Sequence, residues 1–319
     1  MKRPVQVACA QVEPVILDLE GTLEKLEHVA ADAARNGAEL VAFPETFVPV
    51  YPSSLWAKAL GGWQVDGAKE TFARIAQNSV AIGSPAERRL AACAQELGIW
   101  LVTGVNEIDP ERPGTIYNAL LYHSPDGELA LHHRKLVPTN HERLVHGQGD
   151  GRGLHAVETG FGRLGGLICW ENYMPLARTA LYESGVELYV ASTADDGDAW
   201  QATLVHVARE SRAYVIAPAH FQRASSYPAD FPLAGELAGV EVIGRGGSAI
   251  LAPDGSYLAG PVYGEESILY AELEPSMLLA ERQRFDAVGH YSRPDVLSLT
   301  VRAAGATTST RPSVRSDPR

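Results

Sequence analysis

Cysteine is scarce in this sequence: 319 residues hold three, Cys9, Cys93 and Cys169, at wide spacing and with no CxxC pair. That excludes a disulfide framework and a cysteine-based zinc site. No apolar run approaches the roughly 18 residues a membrane helix needs. The first strand-like run, Val5 to Ala10, is too short for the core of a signal peptide. Positive charge is also in deficit, with 27 Lys and Arg against 39 Asp and Glu and a formal net charge of −12. Such a chain lacks the counterion-release attraction that nucleic-acid binding depends on, so neither nucleic acid nor membrane is an expected partner, and the cytoplasm is the expected location. The ten histidines form no HxxH or HExxH pattern, and the adjacent His132 and His133 would point to opposite faces of a strand, so no metal is expected. The phosphate-binding pattern GxxxxGK and the esterase pattern GxSxG are both missing. Gly160, Gly162 and Gly165 do spell GxGxxG, but they precede a strand instead of opening a helix after one, which rules out a dinucleotide site. No cofactor is expected.

What is present is core material: 45% hydrophobic and 21% charged residues, ample for a large globular domain. Strand-like runs alternate with amphipathic stretches. Strands are predicted at Val5–Gln11, Glu39–Phe43 and Ile99–Val105, and then at Tyr117–His123 and Glu128–Arg134 around a Ser-Pro-Asp-Gly turn. Apolar residues at helical spacing run from Leu19 to Ala33 and stop at Asn36-Gly37, and a second helix is predicted over Pro85–Leu97. After the glycine-rich loop Gly147–Gly153, strands Leu164–Cys169, Glu187–Ser192 and Ala213–Pro218 alternate with helices Pro175–Ser184 and Trp200–Arg212. Ser248–Ala252, Tyr257–Ala259 and Ile268–Glu272 read as strands and Pro275–Arg284 as a helix. No linker interrupts this pattern, so a single layered α/β domain is expected over residues 1–302, with a disordered tail over 303–319, where Ser, Thr, Arg and Pro dominate.

Three residues carry candidate chemistry. Cys169 closes the run Gly165-Gly-Leu-Ile, where a strand yields to a helix, the edge at which α/β folds bind ligands. Alone, it reads more readily as a buried inert thiol, the usual state of a lone cysteine in such a place. Glu45, in Ala42-Phe-Pro-Glu-Thr-Phe47, is either a solvated turn carboxylate or an acid whose apolar neighbours raise its pKa and suit it to proton transfer. Lys135, in His133-Arg-Lys-Leu-Val-Pro-Thr139, is either surface charge or a fixed ammonium. Together they make a reaction. A thiol of pKa near 8.5 needs a base to ionise it at neutral pH, and charge that builds as sulfur adds to an electron-poor carbon needs a cation to stabilise it. Glu45 and Lys135 supply these. A Cys–His pairing through His146 or His290 is the alternative.

Phe43-Pro-Glu-Thr-Phe47, Arg134-Lys-Leu-Val-Pro-Thr139 and Gly166-Leu-Ile-Cys-Trp-Glu-Asn172 resemble, in order, the three signature regions of the nitrilase superfamily of carbon–nitrogen hydrolases. The resemblance implies Glu45 as general base, Lys135 as stabiliser of the tetrahedral intermediate, Cys169 as nucleophile and Glu142 as a second glutamate that orients the lysine. Cys169-Trp-Glu, the loop Gly147-Gln-Gly-Asp-Gly151 and Asp286-Ala-Val-Gly-His-Tyr-Ser-Arg-Pro-Asp295 look like the nitrilase branch. That implies a four-layer α-β-β-α sandwich, self-association as a dimer or larger homo-oligomer, and hydrolysis of a small-molecule nitrile by water to acid and ammonia, with some amide. Tyr51, Trp56, Trp170 and the loop after Ser192 are the expected substrate-binding residues. The rival readings are an amidase or carbamoylase with the same residues, a cyanide-hydrolysing enzyme, and a catalytically silent scaffold.

Overall fold

The computed structural model describes residues 1–302, so the tail expected over 303–319 lies outside the described residues. Thirteen strands form two sheets. β1 (Val5–Gln11), β2 (Leu40–Ala42), β3 (Trp100–Ile108), β4 (Ile116–His123) and β5 (Leu129–Arg134) lie side by side in chain order. The second sheet is built from β6 (Val157–Glu158), β7 (Arg163–Gly166), β8 (Leu188–Val190), β9 (Tyr214–Ala217), β10 (Phe221–Arg223), β11 (Val242–Leu251) and β12 (Tyr257–Tyr263). β13 (Ser267–Leu273) then returns to the first sheet and pairs antiparallel with β1, which ties the end of the domain to its start.

The central strands bury both faces, and their period of two sorts the side chains between layers. Val7 and Cys9 of β1 join the core between the sheets, while Ala8 and Ala10 pack outward against helix α1 (Leu19–Arg35). Leu188 and Val190 of β8 likewise face the inter-sheet core, and Tyr189 faces the opposite layer. This is why the strands read as nearly continuous apolar runs. Two short helices, α2 (Ser54–Ala57) and α3 (Ala68–Gln77), cover one end, and α4 (Pro85–Leu97) lies beside α1 on the first sheet. The outer face of the second sheet is covered by α5 (Pro175–Glu183) and α6 (Asp198–Ser211), and α7 (Pro275–Arg284) closes the domain by packing Leu278 into the inter-sheet core. The order of layers is therefore helices, sheet, sheet, helices.

Several helix ends are written in the sequence. Asp18 caps α1 by accepting from Gly21 N at 3.0 Å. Ser84 caps α4 ahead of Pro85, and Gly98 stops that helix at φ +65°. One strand departs from expectation. The run predicted over Leu164–Cys169 pairs on both sides only at Leu164 and with β8 alone to Gly166, after which the chain remains extended and bonds on that one side, Leu167 N to Val190 O at 3.1 Å and Cys169 N to Ser192 O at 2.8 Å.

Candidate active site

Glu45 follows β2 by three residues, Lys135 follows β5 directly, and Cys169 follows β7 by three, so all three leave their strands at the same rim. Two glycines let the backbone pack there. A side chain at Gly104 of β3 would lie 2.0 Å from the Pro44 carbonyl oxygen, and one at Gly149 would lie 2.2 Å from the Arg134 carbonyl oxygen. The glycine-rich loop can therefore press against Lys135, whose carbonyl accepts from Gly149 N at 2.8 Å.

Lys135 is buried between two carboxylates. Its Nζ donates to Glu45 Oε1 at 2.7 Å and to both oxygens of Glu142, at 2.9 and 2.7 Å, which uses its three protons. Burial alone would lower the ammonium pKa, but the charges of Glu45 and Glu142 outweigh it and hold Lys135 above the usual lysine range. Glu142 is fixed by Tyr51 Oη at 2.9 Å and by Thr139 N at 2.9 Å. Burial pushes its carboxyl up, but Lys135 foremost, with nearby His146 and the Thr139 N–H, brings it below the usual value, so it stays ionised. Glu45 accepts from Asn118 Nδ2 at 2.6 Å and from Ala194 N at 2.9 Å. Burial raises its carboxyl, Lys135 opposes that rise and Glu142 adds to it, leaving Glu45 at about 7. The Phe and Pro neighbours suggested a raised pKa; the structure supplies a different cause, full enclosure beside a second carboxylate, with Phe43 and Phe47 packed into the outer core.

Cys169 begins a tight turn with φ +51°, a left-handed conformation costing a non-glycine residue about 1 to 2 kcal/mol. The strand extension Ser192-Thr-Ala194 binds it to the cluster. Ser192 O accepts from Cys169 N, Thr193 Oγ1 donates to Cys169 Sγ at 3.1 Å, and Ala194 N donates to Glu45. Burial first, and the Glu45 charge second, push the thiol well above its ordinary range. The resting site therefore holds a neutral thiol beside a carboxylate able to take its proton.

Glu171 performs a separate task. Its buried carboxylate accepts from Leu136 N at 2.7 Å, from Ile168 N at 2.8 Å and from His133 Nε2 at 2.9 Å. It thus clamps the segment after Lys135 to the segment before Cys169. Burial raises this carboxyl, but His133 and the two N–H groups hold it below the usual value. Glu171→Gln should be destabilising despite its matched shape. Two fixed N–H groups occupy the two oxygens, so the Gln NH₂ must face a donor. We expect a loss of about 2 kcal/mol or more, read by chemical denaturation; an unchanged midpoint would show that the clamp carries no weight.

Of the residues expected to bind substrate, Tyr51 and Trp170 line a cavity of about 320 Å³ that opens over Cys169. Trp170 is 50% exposed and donates from Nε1 to Asp195 Oδ2 at 2.7 Å. Trp56 does not line it. Its ring is fully buried against Tyr227 and Phe231, with Nε1 donating to the Tyr227 hydroxyl at 2.8 Å, because a large flat side chain under α3 is needed to fill that end of the domain. Neither histidine alternative reaches Cys169: His146 Nε2 pairs with Asn106 Oδ1 at 2.7 Å, and His290 is exposed, its ring edge-on to Tyr291. Residues the sequence did not single out also build the site. Asn118 and His220, whose Nε2 donates to the Glu45 carbonyl, are buried polar residues in an apolar strand and a loop, whereas the expected loop after Ser192 does reach the site, with Thr193 on Cys169 and Ala194, Asp195 and Asp196 lining the cavity. A polar residue inside an otherwise apolar strand, as Asn118 is in Ile116–His123, was the one available signal.

Fold and site together define a carbon–nitrogen hydrolase, and the chain belongs to that family: the carbon-nitrogen hydrolase family model matches residues 6–283. Among its relatives, an aliphatic nitrilase of Sinorhizobium fredii is 40% identical over 296 residues, 93% of this chain and 95% of the relative. A bifunctional nitrilase/nitrile hydratase of Nicotiana tabacum is 39% identical over 303 residues, 93% of this chain and 86% of the relative. Two solved structures share the fold. A nitrilase-superfamily member of Saccharomyces cerevisiae superposes with TM-score 0.68 at 20% identity, covering 91% of this chain and 97% of its own. An amidase of Nesterenkonia sp. gives TM-score 0.64 at 23% identity, covering 89% and 97%.

Proposed function

We propose that the protein is a nitrilase that converts a small organic nitrile to the carboxylic acid and ammonia. The observation that carries this is the enclosed cluster Glu45–Lys135–Glu142, joined to the Cys169 thiol through Thr193 and Ala194. The identity with nitrilases and the Cys169-Trp-Glu sequence support a nitrile over an amide as substrate.

Glu45 takes the thiol proton as Cys169 Sγ bonds to the nitrile carbon and passes that proton to the nitrogen, which gives a thioimidate and leaves Glu45 ionised. Glu45 then accepts a proton from water as its oxygen adds to that carbon. Breaking the C–N bond releases ammonia and leaves a thioester, which a second water hydrolyses to the acid, freeing the thiol; breaking C–S first releases an amide. Lys135 stays charged throughout. It holds Glu45 in place and faces the charge that builds on the tetrahedral carbon's substituents. Transfer of one proton from Cys169 to Glu45 leaves the net charge of the enclosed cluster unchanged, so no new charge is buried at the first step. Residues 1–302 would act as one catalytic domain. Cytoplasmic location and self-association as a dimer or larger homo-oligomer belong to the same proposal and rest on the family resemblance.

The test is ammonia release from matched nitriles and amides, with mass spectrometry of the protein during turnover. We expect nitrile turnover with a substrate-sized adduct on Cys169; turnover of amides alone would overturn the nitrilase reading. Because Glu45 must be ionised to act and sits at about 7, kcat/KM should rise with pH through neutrality and level off above it. A flat profile from pH 5 to 8 would remove Glu45 as the base.

A further inference from the structure

The lining of the cavity has hydrogen-bonding capacity that the protein itself leaves unmet. His220 immediately precedes β10 and Gln222 lies two residues on, and both line the cavity. His220 Nε2 bonds the Glu45 carbonyl, which can only accept, so the ring carries its proton there and Nδ1 bears a lone pair. Burial lowers this imidazole to about 4 and keeps it neutral, an acceptor at Nδ1. Yet Nδ1 has no partner, although His220 is only 3% exposed. The Gln222 amide is buried too. It lies near enough to the Tyr227 hydroxyl to offset a little of the rise that burial causes there, but outside hydrogen-bonding geometry, and its Nε2 is also unpartnered. Unmet buried polar atoms carry a desolvation cost that a bound donor or acceptor would offset.

The charge of the wall points the same way. Asp195 and Asp196 line the cavity, and neutral groups hold their carboxylates: Trp170 Nε1 at 2.7 Å and Gly197 N at 2.9 Å on Asp195, and Arg245 N at 2.9 Å on Asp196. The Arg245 guanidinium bonds Asp198 Oδ1 at 2.6 Å and the Asp196 carbonyl at 2.8 Å, and it is not among the residues that line the cavity. Among the described residues, no lysine or arginine lines the cavity. A bound anion would therefore lose its hydration and meet two carboxylates without a cation. A hydroxyl or an ammonium would instead find the His220 lone pair and the two acids.

Building on the nitrilase reading, we propose that the cavity selects small nitriles carrying a hydrogen-bond donor, a hydroxyl or an amino group, and turns away nitriles carrying a carboxylate. His220, Asp195 and Asp196 are the residues that discriminate.

The experiment compares kcat/KM of the wild-type protein on four nitriles of one chain length, ended by hydroxyl, amino, methyl or carboxylate. Donor-bearing nitriles should lead the methyl and carboxylate forms by at least about tenfold. Methyl or carboxylate nitriles turned over equally well would overturn the selectivity while leaving a nitrilase; no ammonia from any nitrile would overturn the nitrilase reading and the selectivity with it. Asp196→Asn keeps the shape and the acceptor for Arg245 N. It should raise carboxylate against amino nitrile by at least about threefold, and because this is a ratio within one variant, general damage to the enzyme cancels. An unmoved ratio would remove Asp196 from the proposal.

Discussion

Cys169→Ala is expected to release no measurable ammonia from any nitrile that the wild-type protein consumes, a loss of at least about 10⁴-fold in kcat, typical of removing a nucleophile. The same variant should fold with a nearly unchanged melting temperature. Ala has a Cβ like Cys, so the strained φ of +51° carries the same cost in both. The carboxylate–lysine cluster makes none of its hydrogen bonds to the thiol, so it survives intact. What is lost is a small buried sulfur and the acceptor for the Thr193 hydroxyl, which still serves as acceptor for Asp195 N at 2.8 Å. Cys169→Ser sharpens the test. Serine restores an acceptor for Thr193, but a carboxylate of pKa about 7 is far too weak to ionise an alcohol, so activity should remain lost. Steady-state ammonia release and thermal unfolding of the three proteins settle the matter. Retention of even about 1% of wild-type turnover in Cys169→Ala would mean that the reaction runs without this sulfur, since water activated by Glu45 alone lacks the covalent step.

The sequence carried the strand and helix pattern well where the periodicity was long. The helix over Pro85–Leu97 was legible to the residue because Ser84, Pro85 and Gly98 punctuate an amphipathic run. It carried less where elements are short or depend on distant partners. α3 was not foreseen: its buried residues, Ala68, Thr71 and Ile75, include only one large apolar side chain. β6 and β10, of two and three residues, exist because neighbouring strands recruit them. The extended path to Cys169 looked like strand throughout because Leu167 and Ile168 are apolar, and their burial hides the loss of pairing on one side. In the site, residue type announced Glu45, Lys135 and Cys169, but proximity did not. Thr193 reaches Cys169 across 24 residues and His220 reaches the Glu45 carbonyl across 175, contacts that no local pattern encodes. Trp56 shows the converse, since an aromatic near Tyr51 suggests a pocket and instead fills a core.

Lys135→Met should remove both activity and much of the stability, and the two losses should part company with pH. The substitution keeps an unbranched chain of similar length, so packing is little changed. It takes away the one cation between two enclosed carboxylates, both with fully buried side chains. Breaking a buried pair in this way costs about 3 to 5 kcal/mol, because the remaining charges are uncompensated. Here two like charges are left, so one of them must bind a proton, and its folded-state pKa rises above the unfolded value of about 4.3. The sign follows. A carboxyl with a raised folded pKa contributes its stability in full below the unfolded pKa and loses it as pH rises through the folded pKa. The variant should therefore lie close to wild type near pH 4 to 5 and fall furthest behind at pH 8, where the wild-type lysine still offsets one of the two carboxylate charges. Activity should be absent at both ends, since at low pH the base is protonated and at high pH nothing balances the charge of the intermediate. Denaturant unfolding of both proteins at pH 5 and pH 8 provides the measurement. A stability gap that stays constant across that range would mean that the carboxylates do not interact through Lys135, and the electrostatic account of the site would fail with it.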